Sequence, residues 1–130
     1  MAIIRRVLLI IAALVFAGIG IASFLVPDRM ALPLGFVLDN TNARSEFTAV
    51  YVGIWLVTSA LLFTAVRHPD DVRLGDFGAL LILGQTFGRI LSAFRDGLPS
   101  SAMYGIAFVE CIGGIAILAT RPRRSAPKLP

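Results

Sequence analysis

Two charged side chains, Arg89 and Glu110, lie inside segments of this sequence that are otherwise apolar enough to cross a membrane. Placing a charge in hydrocarbon costs from about 3 kcal/mol on insertion scales to over about 10 kcal/mol in simulations. A residue of this kind needs a partner, and it marks a candidate functional site. Any function of this chain is therefore expected at this pair.

Other polar residues recur at helical spacing around the pair. Residues at alternating intervals of four and three share one face of an α-helix. The face that carries the arginine contains Gln85, Arg89, Ser92 and Asp96. A second polar face, on the preceding predicted helix, contains Arg44, Thr48, Tyr51, Trp55 and Thr58. With two acids added, the candidate cluster for binding or helix packing is Arg44, Glu46, Tyr51, Gln85, Arg89, Ser92, Asp96 and Glu110.

The depth of the two charges allows them to meet. With a rise of about 1.5 Å per residue, Arg89 lies roughly 9 Å and Glu110 roughly 12 Å below the same membrane boundary. Arginine can also extend its side chain toward the interface. Asp96 and Glu46 therefore remain alternative partners for Arg89.

Four long apolar segments must position this cluster. Hydrophobic residues make up 57% of the chain and charged residues only 15%, far from the composition of soluble domains. Each segment has about the 20 residues that a helix needs to cross the hydrocarbon, where the backbone must satisfy its own hydrogen bonds. The predicted spans are Val7–Val26, Phe47–Val66, Phe77–Phe94 and Ala102–Thr120. The sequence thus predicts an all-α integral membrane bundle of four transmembrane helices in one domain, residues 1–130, whose last ten residues, 121–130, form a basic, proline-containing tail.

The basic residues are distributed unevenly between the predicted loops. Eight of them fall on the side of the termini and the middle loop, namely Arg5, Arg6, Arg67, Arg73, Arg121, Arg123, Arg124 and Lys128. Three fall on the other side, namely Arg29, Arg44 and Arg95. The positive-inside rule then places both termini in the cytoplasm of a bacterial inner membrane. The net charge of +4 is explained by this topology, so we expect the lipid bilayer as partner and no nucleic acid.

Two further features of the sequence concern helix packing and the connection between the first two spans. Small residues that allow close approach of a neighbouring helix recur at Ala13, Ala17 and Gly20 in the first span, and at Gly84 and Gly88 in the third. The apolar piece 30–38 is interrupted by proline and glycine and is too short to span, so we predict an interfacial segment there. Residues 39–42 then supply the cap of the second helix.

No catalytic chemistry is predicted. The chain has one cysteine, Cys111, and one histidine, His68, which cannot form a disulfide framework or a metal cluster. It has neither a phosphate-binding loop nor a Ser/His/Asp set. We expect no metal, no cofactor and no enzymatic activity.

Several motifs resemble a known family. They are Pro27-x-Arg29-Met30, Ala43-Arg44-x-Glu46-Phe47-x-Ala49-Val50-Tyr51-x-Gly53, Gly88-Arg89, Asp96-Gly97-x-Pro99 and Glu110. From about Ile3 to Thr120 the chain resembles a bacterial group of small four-helix inner-membrane proteins, the domain-of-unknown-function family 4345, which is loosely similar to DoxX-like proteins. Membership implies a four-helix membrane protein and no particular activity. The DoxX-like similarity hints at redox-associated or quinone-linked roles, by analogy of fold alone.

The sequence leaves several functions open. The polar cluster could be a helix-packing lock or a site for a small anionic or amphipathic molecule, open to the outer face. The chain could instead be an accessory subunit, in a homo-oligomer or a larger membrane complex, docked through its small-residue faces. The last alternative is a small proton-coupled transporter that uses Glu110.

Overall fold

A computed structural model describes residues 2–122, so the part of the predicted basic tail from residue 123 onward lies outside the described residues. The described chain is helical and contains no strand. Its helices are α1 (Ala2–Leu25), α2 (Pro27–Ala31), α3 (Thr41–Arg67), α4 (Val72–Asp96) and α5 (Ser101–Ala119). The four long helices α1, α3, α4 and α5 are long and apolar enough to cross a membrane. The predicted all-α membrane bundle is confirmed.

Local chemistry explains where the helices begin. The side-chain oxygen of Asn40 accepts a hydrogen bond from the Ala43 N–H at 2.9 Å, which caps α3 at the predicted position. The Asp71 carboxylate accepts from the Arg73 N–H at 3.1 Å and caps α4. Helix α1 begins at Ala2. Arg5 therefore lies inside the first helix, although the predicted first span begins only at Val7.

Helix α3 contains a widened turn. Residues Ala49–Ile54 form a π-helical segment between two α-helical parts of the same helix. Segments of this kind are rare and often occur at functional sites. Here the segment carries Tyr51, whose side chain is buried.

The long helices pack mainly on their neighbours in sequence. Helix α1 packs along α3, α3 along α4, and α4 along α5, whereas α1 and α5 are in limited contact. Antiparallel neighbours account for this order, and short connections join α4 to both α3 and α5. The consequence is a gap between the first and the last helix.

The two predicted small-residue faces, on α1 and on α4, differ in whether a neighbouring helix packs closely against them. A Cβ atom added at Gly20 would lie 2.9 Å from the Leu56 side chain, so α1 and α3 approach as closely as predicted. A Cβ atom at Gly84 or Gly88 would meet nothing within 4 Å. Among residues 2–122, the glycine pair of α4 therefore has no close helix neighbour.

The connection after α1 covers one end of the bundle. After α2, a 3₁₀ turn at Leu32–Leu34 and an extended stretch lead to α3. Ala31 and Leu38 are buried against the core, and the interfacial location of this segment stays a prediction. We call this end, where α1 ends and α3 begins, the loop end, and the opposite end, where α1 begins and α5 ends, the terminal end.

Candidate functional site

The Arg89 guanidinium forms an ion pair with the Glu110 carboxylate, joining α4 to α5. The side chains are 15% and 8% exposed, respectively. Glu110 lies at the middle of α5, and Arg89 lies in the half of α4 nearest the loop end. Of the partners left open by the sequence, the structure thus selects Glu110. Charges this deep persist because each neutralises the other.

An aromatic cluster from α3 and α1 adjoins this ion pair through Tyr51. Tyr51 lies close enough to interact with both charges. Its ring lies 5.0 Å from that of Trp55, centroid to centroid. Trp55 in turn contacts the ring of Phe16 from α1 edge to face at 5.4 Å. Three helices therefore converge on the charges, and α1 reaches them through the aromatic rings.

Gln85 lies on the same face of α4 as Arg89, one helical turn closer to the terminal end. Its side-chain oxygen accepts a hydrogen bond from the Trp55 indole N–H at 3.0 Å. Its amide nitrogen is buried and has no partner among the described residues. Gln85 thus extends the polar centre toward the middle of the bundle.

The remaining members of the predicted cluster lie elsewhere. Arg44 is exposed and bonds Asp28 of the loop end at 2.9 Å, and Glu46 is also exposed. On α4, the Ser92 hydroxyl donates to Asp96, whose carboxylate also pairs with Arg95 at 2.9 Å. Since both groups lie near helix ends, they find local partners there. The structure brings together Tyr51, Gln85, Arg89 and Glu110, but not Arg44, Glu46, Ser92 or Asp96.

A cavity of about 520 Å³ lies between α1 and α5. Its wall is almost entirely apolar, with Val15 and Ile19 from α1 and Val109 from α5 among its residues. Tyr51 and Trp55 of α3 form part of the wall, and Glu110 is its single charged residue within the described chain. The ion pair therefore presents its acidic member to a large apolar space, while Arg89 lies behind it.

Small residues of α5 create this space. Gly105 and Gly113 both line the cavity, and a Cβ atom at either position would meet nothing within 4 Å. The adjacent Gly114 faces the other way, and a Cβ atom there would lie 2.6 Å from the side chain of Leu83 on α4. Helix α5 thus uses one glycine to pack on α4 and its neighbour to leave room toward α1.

Ser23 is a wall residue that the sequence analysis did not single out. Its side chain is 1% exposed, and its hydroxyl oxygen has no hydrogen-bond partner in the described chain. A serine in an apolar helix gives no sequence signal that separates it from a helix-packing residue. Its burial and its position on the cavity wall become evident only in the structure.

A second buried arginine, Arg5, was also missed. The guanidinium donates to the Ile117 carbonyl at 2.7 Å, to the Val72 carbonyl at 3.0 Å and to Asp76 at 2.9 Å. The other carboxylate oxygen of Asp76 pairs with Arg121 at 3.0 Å. This cluster joins α1, α4 and α5 at the terminal end. From the sequence, Arg5 was expected to act only as a charge that sets the membrane topology, because it lies close to the N-terminus.

Four long apolar helices around a buried ion pair define a membrane protein of the helix-bundle class. The chain belongs to the family described as Domain of unknown function (DUF4345), which matches residues 4–120. The family predicted from the motifs is thereby confirmed. No curated protein and no solved structure matches the chain. Because the family description names no function, a function must be argued from the geometry and chemistry of the site.

Proposed function

We propose that this protein binds a small lipophilic molecule from the bilayer in the cavity between α1 and α5, without catalysing a reaction. The observation that carries the proposal is the cavity, with one ion-paired carboxylate in an otherwise apolar wall. Ligand sites have this composition, mostly apolar with a few polar groups that set orientation. The size also agrees, since sites for small molecules occupy about 300–1,000 Å³.

The path into the cavity supports a ligand that arrives from lipid. Wall residues on both helices are also exposed on the outside of the bundle, with Ile11 at 54%, Val15 at 48% and Val109 at 67%. The cavity therefore reaches the surface along the gap between α1 and α5. Apolar side chains along a gap of this kind face hydrocarbon in a membrane bundle. A lipophilic ligand enters by this route without crossing water.

The ion pair has a structural part in the same site. It joins α4 to α5 at the wall of the cavity. Buried ion pairs are weak evidence for stability, because their desolvation offsets much of their attraction. The packing lock and the ligand site considered from the sequence are thus two aspects of one arrangement, in which Arg89 holds Glu110 in place.

The orientation proposed from the charges places the terminal end in the cytoplasm of a bacterial inner membrane. Arg6, Arg67 and Arg73 lie at that end, and positive charge is retained on the cytoplasmic side. A cysteine replacing Asp70, in a chain whose Cys111 is alanine, should resist an impermeant thiol reagent in intact cells. A cysteine replacing Ser100 should react. The opposite pattern would invert the orientation.

Filling the cavity tests the binding proposal. Gly113→Leu places a side chain in the cavity where nothing obstructs its Cβ. Gly84→Leu is the matched control, because this glycine lies in an equally open environment outside the cavity wall. Both replacements also raise helix propensity to the same extent.

The three proteins are extracted into native-lipid particles, and the small molecules that co-purify are compared by mass spectrometry. We expect a lipophilic species enriched over bulk lipid in the wild type and in Gly84→Leu. In Gly113→Leu it should decrease about tenfold or more. Equal enrichment in all three proteins would overturn the proposal.

The exposed glycine pair of α4 favours a second candidate, an accessory subunit of a larger membrane complex. Gly84 and Gly88 leave a shallow face with no close neighbour in the described chain, and such faces admit a second helix in membranes. The mass of the native particle decides this point. A particle no larger than a monomer or homodimer would argue against the accessory subunit.

A further inference from the structure

Glu110 has one free hydrogen-bond acceptor beside the cavity. One of its carboxylate oxygens bonds Arg89, and the other, Oε1, bonds no group of the described chain. The unpartnered side-chain atoms that are closed off within the described chain belong to Ser23, Thr58 and Gln85, so Oε1 is not one of them. Because Glu110 is 8% exposed and lies on the cavity wall, the space open to this oxygen is the cavity. A ligand can therefore supply the donor that the oxygen lacks.

The charges at this position favour a ligand without net charge. Glu110 is the charged residue of the wall within the described chain, and Arg89 compensates its charge from behind. A phosphate or a carboxylate on the ligand would face the Glu110 carboxylate with no cation of its own. An ammonium group would leave one net positive charge in apolar surroundings, which is costly. A neutral donor avoids both penalties, and a hydroxyl is a small group of this kind.

Glu110 lies near the middle of the cavity along α5. The α5 part of the wall extends from Ala102 to Ile117. With a rise of about 1.5 Å per residue, it reaches roughly 12 Å from Glu110 toward the loop end and roughly 10 Å toward the terminal end. The wall is apolar on both sides, with Val109 before Glu110 and Gly113 after it. A ligand that fills the cavity and bonds the carboxylate therefore has its polar group in the middle of the molecule.

A phospholipid does not meet these conditions. Its charged head group lies at one end of its chains and stays in the polar region at the membrane surface. Glu110, in contrast, is roughly 14 Å from either end of α5 (Ser101–Ala119). The site thus differs from a surface groove that is filled by the surrounding lipid.

We propose that the ligand is a neutral lipophile with a hydroxyl near the middle of its length, which donates a hydrogen bond to Glu110 and has an apolar arm on each side. This inference rests on the proposed binding function and names the ligand class for that site.

The experiment uses three photoreactive probes in native-lipid particles of the full chain. All three have the same number of carbons and the same photoreactive group. The first has a hydroxyl at its midpoint and arms of about 10 Å on each side. The second has a ketone at that midpoint, and the third has its hydroxyl at one end. The readout is the yield of labelled peptides from α1 and α5, determined by mass spectrometry.

We expect the mid-chain alcohol to label the wild-type protein most strongly. The ketone has no proton to donate to Glu110. The terminal alcohol cannot bond Glu110 while its whole chain stays in the cavity, because the chain is about twice as long as either half. Each should label about threefold to tenfold less, which is the loss expected for one hydrogen bond.

Glu110→Gln tests the hydrogen bond itself. The amide oxygen can keep the bond to Arg89, and the amide NH2 group then replaces Oε1 and donates to a hydroxyl or a ketone alike. The ratio of mid-chain alcohol to ketone labelling should therefore fall to about one. Glu46→Gln is the matched control, because Glu46 is exposed and lies outside the cavity wall. This control should leave the ratio unchanged. If Glu110→Gln does not accumulate, the three probes on the wild type still decide.

Filling each half of the cavity tests the central position. Gly105→Leu and Gly113→Leu add side chains on opposite sides of Glu110, where nothing obstructs a Cβ atom. Both should reduce labelling by the mid-chain alcohol about tenfold or more. Gly84→Leu, outside the wall, should not.

The outcomes separate the ligand class from the binding function. If the ketone labels the wild type as strongly as the mid-chain alcohol, or if Glu110→Gln leaves their ratio unchanged, the hydroxyl contact is wrong. If the terminal alcohol labels equally well, or if only one of the two glycine variants loses the label, the central position is wrong although the cavity still binds. If neither glycine variant changes the labelling by any probe, the binding function itself fails.

Discussion

The two buried arginines of this protein differ in how completely they are bonded. Arg5 at the terminal end is 6% exposed and donates to two carbonyls and a carboxylate, which an additional arginine also bonds. Arg89 has one ionic partner, whose second oxygen is left free beside a cavity of about 520 Å³. A fully bonded buried charge fixes a structure, whereas a partly bonded one leaves capacity for a ligand. The comparison supports an architectural role for Arg5 and agrees with the binding role that we propose for the Arg89–Glu110 pair.

The largest effect is expected at the fully bonded arginine. Arg5→Ala should lower the free energy of unfolding by about 3 kcal/mol or more, because it breaks a buried ion pair and removes two hydrogen bonds to backbone carbonyls. Thermal unfolding in detergent measures the loss, and membrane abundance should decrease with it. Arg6→Ala is the control, as Arg6 is exposed and next in sequence. Similar losses at both positions would remove the architectural role of Arg5.

A double replacement at the partly bonded pair should separate stability from binding. Glu110→Ala leaves Arg89 buried without its partner, and should lower the free energy of unfolding by about 2–3 kcal/mol. Replacing Arg89 and Glu110 together by methionine should recover most of this stability, because buried pairs are often neutral against apolar residues.

Ligand enrichment should stay lost in the double variant, measured as for the cavity-filling variants. If the double variant recovers both stability and ligand, the pair takes no part in binding. If it recovers neither, the pair belongs with Arg5 as architecture, and the contrast between the two regions disappears.

The smallest effect is expected at two adjacent glycines of α5. Gly114→Ala forces a Cβ atom to within 2.6 Å of Leu83, and should lower the unfolding free energy by about 1–2 kcal/mol. Gly113→Ala meets nothing within 4 Å and should raise it slightly, by about 0.5–1 kcal/mol, through helix propensity. Opposite signs of the shift in unfolding temperature would confirm that α5 packs on one side and is open on the other.

The sequence was sufficient for the spans, because apolar segments in lipid can satisfy their backbone only as helices. It also allowed Arg89 and Glu110 to meet, since depth along a helix follows from residue count. Periodicity was less informative for Arg44 and Asp96. Their spacing predicts the face of the helix on which they lie, but not whether that part of the helix lies inside the core. Both residues lie near helix ends outside the core, where each forms an ion pair with a nearby residue.

The cavity and the Arg5 cluster could not be predicted for a different reason. Both depend on α1 and α5, the long helices furthest apart in the chain. No local sequence pattern predicts how two such helices pack against each other. Arg5 bonds a carbonyl 112 residues away. Ser23 is informative only through the absence of a partner, which requires coordinates.

The order of helix packing has a consequence for assembly. Each long helix packs on its neighbours in the chain, and α5 must also meet α1. Because α5 is the last of the long helices to be synthesised, the boundary between α1 and α5 can close only after the other contacts have become possible. Until α5 arrives, Arg5 lacks the Ile117 carbonyl that accepts its shortest hydrogen bond. Completion of the cavity between α1 and α5 and full bonding of Arg5 are therefore expected in the same late step of biogenesis.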